Sequence, residues 1–116
     1  MQKRARKAEF TGKTRKIIEE RDNGCIFCQM GYRMEKAFWM DLNTFSIMHY
    51  IPRSKGGLGI EQNAAVGCQY HHDMLDNGNG GHREEMLELF AEYLASMYEE
   101  WNEAELVYNK WSFLNV

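Results

Sequence analysis

Two short spacings in this 116-residue chain could grip a metal ion. Cys25 and Cys28 form a C-x2-C half-site, and Cys68 with His71 forms a C-x2-H half-site. Each pair can hold one ion from a tight turn, and four nitrogen and sulfur donors close a tetrahedral Zn2+ site. An ion held that way is structural, because protein fills every coordination position. Three cysteines cannot pair evenly, and a cytoplasmic chain seldom keeps structural disulfides, so metal ligation is the better account of them. The competing reading is three buried free thiols and a surface histidine, which leaves two matched half-sites as coincidence. His72 adjoins His71, so either imidazole could take the fourth position; the knuckle spacing favours His71.

Once those four donors are assigned, His49, Asn63, His72 and Asp76 remain in the same part of the chain. They stand in an ordered frame, H-x-x-P-R-S-x-G-G followed by N-x4-C-x-x-H-H. This frame resembles the HNH nuclease family, specifically the small, zinc-stapled HNH endonucleases of bacteria, phages and prophages. The matching positions are His49, Pro52, Arg53, Ser54, Gly56, Gly57, Asn63, Cys68 and His72, together with the CIFC knuckle. The GLGIEQN segment and the WNEAELVYNK tail look like one prophage-type branch, and the similarity covers residues 11–111. A single H-x-x-P is weak evidence; the whole set in order is specific.

The resemblance implies an α+β fold with a ββα-metal (His-Me finger) core, a zinc knuckle as staple and flanking helices. It implies a metal-dependent DNA endonuclease that nicks or cuts duplex DNA with little sequence preference. Phosphodiester hydrolysis needs a base to activate water and positive charge to meet the developing oxyanion. By motif position His49 is the base, Asn63 holds the base and its loop in register, and His72 is a ligand of a catalytic cation. Asp76, one helical turn on, stands where relatives often carry a second histidine; a carboxylate there suits Mg2+ or Mn2+. Arg53, Ser54 and Lys55 are positioned for backbone phosphates, which give affinity without sequence choice. Two departures stand out. Met48 occupies the position before the base, commonly an Asp or His ligand, and a thioether is a poor ligand for a hard cation. His71 replaces the fourth cysteine of the relatives.

These side chains need elements to hold them. Residues 11–22 read as a helix, with Phe10, Thr14, Ile17, Ile18 and Arg21 at helical spacings and Asn23-Gly24 as its stop. Residues 45–51 read as a strand carrying Phe45, Ile47 and His49 on one face, and Pro52 ends its pairing. A basic loop follows, in which Gly56, Gly57 and Gly59 let the backbone approach a partner closely. Residues 64–67 form a return strand and 69–75 a short helix. Residues 83–100 show a clear amphipathic helix with an apolar stripe of Met86, Phe90, Tyr93, Leu94 and Met97. His82 opens it and is assigned no role. Asn102 and Glu105 suggest a capping box for a last short helix, after which Tyr108 and Trp111 fold back. Residues 38–44 read equally as strand or turn.

At this length a single small domain is expected, with a basic tail at 1–9 and the functional domain at 10–116. A modest core of that size benefits from a metal staple. No apolar run reaches a membrane span, and the start of the chain lacks the apolar core of a signal peptide, which points to the cytoplasm. Net charge is −3, yet seven of the fourteen Lys and Arg residues fall within the first sixteen positions. A nucleic-acid binder needs one basic face rather than a basic total, so Lys13, Arg15 and Lys16 join the candidate DNA contacts. Three readings compete: an endonuclease, with a homodimer as one route to cutting both strands; an HNH-like module that has lost cleavage and grips DNA or a phage or host protein; and a plain zinc-binding structural protein.

Overall fold

A computed structural model describes residues 8–35, 40–77 and 81–108. Most of the basic tail, Trp111 and the first half of the 38–42 alternation lie outside the described residues. Helix α1 runs Gly12–Asp22. Thr11 caps it, its hydroxyl accepting from the Thr14 N–H at 3.1 Å, and Asn23 ends it in the left-handed region at φ 51°. A single helical turn, α2 (Ile26–Gln29), follows at once with Cys25 as its N-cap. Residues 40–44 resolve as a turn: Asp41 Oδ1 accepts from the N–H groups of Asn43 and Thr44 at 3.0 and 2.9 Å.

Strand β1 (Phe45–His49) pairs antiparallel with β2 (Ala64–Cys68), placing Phe45 opposite Cys68 and His49 opposite Ala64. Pairing stops at His49, before Pro52 rather than at it. Helix α3 (Gln69–Asn77) leaves β2 without an intervening residue, two residues longer than the sequence suggests. Helix α4 spans Arg83–Met97 and ends three residues early, because Tyr98 turns extended. A 3-10 turn at Glu103–Leu106 is capped by Asn102, whose Oδ1 accepts from the Ala104 N–H at 2.9 Å.

One core joins these elements into a small α+β domain. Phe27, Met48, Ala65, Leu75, Met86, Phe90 and Leu94 are buried together between the knuckle, the sheet and α4. Of the expected stripe on α4, Met97 is the exception: it is 45 % exposed at the last helical residue, past the end of the core. On the other sheet face Ile18 of α1 packs with Ala64, Val66, Ile47 and Phe10, and Ile17 faces solvent because only one turn-wide stripe meets the strand.

Among the described residues, β2 pairs with β1 along one edge. Side chains from the end of α1 satisfy part of the other edge: Asp22 Oδ2 accepts from the Val66 N–H at 2.7 Å, and Arg21 Nη2 donates to the Ala64 carbonyl at 2.6 Å. Arg21 also donates to Asp22, to the Glu61 carbonyl and to the Tyr98 hydroxyl, while Tyr93 donates to Asp22. The buried ion pair is therefore fully hydrogen-bonded and welds α1 to β2 and α4.

The glycines of the 50–63 loop do approach a partner closely, and that partner is the chain itself. A Cβ on Gly57 would sit 1.7 Å from the Ile51 carbonyl oxygen, and one on Gly59 would sit 2.4 Å from the Glu9 carbonyl oxygen.

Candidate metal centre and active-site cleft

The two half-sites meet. α2 places Cys25 and Cys28, the end of β2 places Cys68, and the first turn of α3 places His71. His71 Nδ1 lies 3.6, 3.5 and 3.3 Å from the sulfurs of Cys25, Cys28 and Cys68, and the Cys28 and Cys68 sulfurs are 3.7 Å apart. A tetrahedral zinc with bonds of about 2.3 Å to sulfur and about 2.0 Å to nitrogen has S···N edges of about 3.5 Å and S···S edges of about 3.8 Å. The donor set thus has the size of a tetrahedral zinc shell. The Cys28 N–H points at the Cys25 sulfur at 3.4 Å and the His71 N–H at the Cys68 sulfur at 3.5 Å, donors that stabilise thiolate charge. His71 Nε2 lies 2.7 Å from the Tyr32 carbonyl, which can only accept, so Nε2 carries the proton and Nδ1 offers its lone pair to the sulfurs.

The cluster's own electrostatics tolerate few negative charges. Burial pushes the Cys28 and Cys68 thiols up, and for both the Cys25 charge adds to it. Burial acts on Cys25 too, but the His71 hydrogen bond and neighbouring backbone N–H groups outweigh it and bring that thiol to about 7. A divalent cation would reverse the trend and hold all three as thiolates.

His72 leaves α3 about 100° around the axis from His71 and belongs to a different site. Its Nδ1 meets the Ser46 hydroxyl, and its Nε2 lies 2.9 Å from Asp76 Oδ2, one turn on. A cleft of about 680 Å3 gathers His72 and Asp76 with His49, Arg53 and Ser54, Arg15 of α1 and Arg83 of α4. His49 Nε2 lies 3.0 Å from the Ala8 carbonyl, and its ring stacks on Phe10 with centroids 4.4 Å apart. Burial holds the His49 imidazole below the usual histidine value, with Arg53 adding to the effect; the Ala8 carbonyl and Asp76 oppose it.

Asn63 lines no part of the cleft and is fully buried. Its Oδ1 accepts from the Ile51 N–H at 2.8 Å, and its Nδ2 donates to the carbonyls of Ile51 and Leu58 at 3.1 and 2.8 Å. Its place in the molecule is that of a clamp on the loop after His49.

Some expected contacts lie elsewhere. Lys13, Lys16 and Lys55 are exposed and outside the cleft wall, whereas Arg15, Arg53 and Ser54 form part of it. Met48 is buried in the core on the side of Gly67, so its thioether does not reach the cleft at all. Among the described residues, the cysteine–histidine cluster is the one group of three or more candidate ligands within reach of a common ion. In the cleft the candidate ligands in contact with one another among the described residues are His72 and Asp76. Arg83 and the 8–10 segment escaped the sequence reading. A cation in the first turn of a helix opposes the dipole there, and that mismatch was the signal that could have exposed Arg83. Its Nη1 donates to the Leu75 carbonyl at 2.6 Å, tying the start of α4 to the end of α3.

No helix among the described residues is long and apolar enough to cross a membrane. No protein-family model matches the chain, and no curated protein or solved structure matches it either.

Proposed function

We propose that the chain is a metal-dependent phosphodiesterase of the HNH type, acting on the backbone of duplex DNA, with a zinc ion as structural staple. The observation that supports this most is the content of one cleft: an imidazole, a His–carboxylate pair and three arginines. β1, β2 and α3 follow one another in the strand–strand–helix order of a ββα-metal core, with His49 at the end of the first strand and His72 on the helix.

In this reading His49 is the base. With Nε2 turned to the Ala8 carbonyl, Nδ1 is the atom that takes the proton from the attacking water. The water oxygen bonds to phosphorus, the bond to the leaving sugar oxygen breaks, and that oxygen takes a proton from solvent. Arg15, Arg53 and Arg83 meet the non-bridging oxygens and orient the phosphate. His72 Nε2 and Asp76 Oδ2, now paired with one another at 2.9 Å, would hold the catalytic cation. When bound, that cation supplies Lewis-acid stabilisation of the developing charge.

A second reading has a specific observation behind it. Two protein ligands are few for a catalytic cation, and Met48 adds none, so a zinc-stapled module that grips DNA without cutting it is the alternative.

Supercoiled plasmid incubated with Mg2+, Mn2+ or Ni2+, with an EDTA control, separates the two. Wild type is expected to relax or linearise the plasmid, and folded, zinc-loaded His49→Ala to do so at least about a hundredfold more slowly. An inert wild type that retains zinc and shifts DNA on a gel would favour the binding module instead.

A further inference from the structure

His49 is held by a part of the chain that belongs to neither the strand pair nor α3. Ala8, Glu9 and Phe10 run along the cleft wall, and Ala8 is only 4 % exposed. The Ala8 carbonyl lies 3.0 Å from His49 Nε2, and the Phe10 ring covers the imidazole at 4.4 Å. Arg15 lies over the other ring of that stack, its guanidinium carbon 5.9 Å from the Phe10 centroid. The segment fits because the 50–63 loop presents bare backbone to it: a Cβ on Gly59 would come within 2.4 Å of the Glu9 carbonyl oxygen and 2.9 Å of the Ala8 carbonyl carbon. Both are backbone atoms, so a side chain at 59 would have to displace the strap itself.

We infer that residues 8–10 are a positioning strap of the active site, locking His49 with its proton on Nε2 and its lone pair on Nδ1, and that Gly59 is the seat of that strap. This rests on the reading of His49 as the base. A free imidazole exchanges its ring proton and rotates about two bonds. A carbonyl that can only accept, a stacked ring on one face and partial burial remove those freedoms before substrate arrives. The strap acts on the orientation of the base, so its displacement by Gly59→Val should lower kcat and leave KM nearly unchanged, whereas Phe10→Ala also removes the ring under Arg15 and should lower kcat while raising KM.

Gly59→Val and Phe10→Ala, each in the full chain, test this, with Gly12→Ala as a control at a neighbouring glycine whose Cβ would meet nothing within 4 Å. The first readout is the His49 ring proton in nitrogen-correlated NMR, which does not depend on any activity. Wild type and Gly12→Ala should show a protected Nε2–H, and both strap variants should exchange it at least about tenfold faster while keeping bound zinc. The second readout is plasmid cleavage, with kcat reduced in both strap variants. An unprotected proton in wild type, or strap variants with wild-type kcat, overturns the proposal. If wild type fails to cleave with any metal, the nuclease reading falls; the ring proton still decides the positioning, since protection lost in the two variants supports it and protection kept overturns it.

Discussion

Asn63 holds the loop that runs from His49 to β2. Three side-chain hydrogen bonds and a backbone bond from the Tyr50 N–H to its own carbonyl at 2.8 Å pin both ends of the loop that follows His49. Asn63→Ala would leave buried backbone donors and acceptors without partners, and a loss of about 2–4 kcal/mol is expected in a urea titration. A loss below about 0.5 kcal/mol would mean that water replaces the amide. The identity of this residue was legible only through its place in the frame of His49, Asn63 and His72, since Glu61 and Gln62 precede it and no periodicity singles it out. A hold on the loop was expected from that frame; the atoms held were not legible, since Ile51 and Leu58 enter through main-chain groups that carry no side-chain signature.

At the scale of elements, α3 serves two sites from adjacent residues. His71 turns inward to the sulfurs and is fully buried, while His72 turns to the cleft. The two are therefore separable by substitution. In Co2+-loaded protein, His71→Ala should lose or distort the tetrahedral thiolate spectrum, whereas His72→Ala should keep it with full metal stoichiometry. The opposite pattern would assign His72 to the structural ion. Sequence alone could express a preference here from the knuckle spacing but had no access to Tyr32, whose carbonyl sets the tautomer of His71. The two strands and helices α1, α3 and α4 were readable from periodicity and caps, with ends off by one to three residues; the single turn α2 was not, because C-x2-C reads as a knuckle without showing its backbone. The Arg21–Asp22 seal on the free edge of β2 was not, because a charged pair at the end of a helix usually faces solvent.

The whole molecule hangs on few joints. The Cys25–Cys28–Cys68–His71 cluster closes a long excursion between Cys28 and Cys68 that contains β1, the clamped loop and nearly all of β2, and that excursion supplies the His49, Arg53 and Ser54 side of the cleft. Stripping zinc with a strong chelator should lower the melting temperature by more than about 10 °C and remove near-UV tyrosine and tryptophan signals together. Retention of the near-UV signals in metal-free protein would show that the Phe27–Phe90 core stands without the staple. Cleavage should disappear on the same chelator titration, with re-addition of zinc plus Mg2+ needed to restore it.

Adjacent histidines with different duties also constrain how this chain can vary. Along α3 each added or removed residue rotates everything after it by about 100°. One insertion between Cys68 and His71 would turn His71 from the cluster to the cleft side and carry His72 away from both; one deletion would bring His72 to the knuckle position and Asp73 to the cleft side. Either change breaks the present match between two adjacent residues and two separate surroundings. Lineages of this protein should therefore vary in loop length around α3 while holding the count from Cys68 to Asp76 constant.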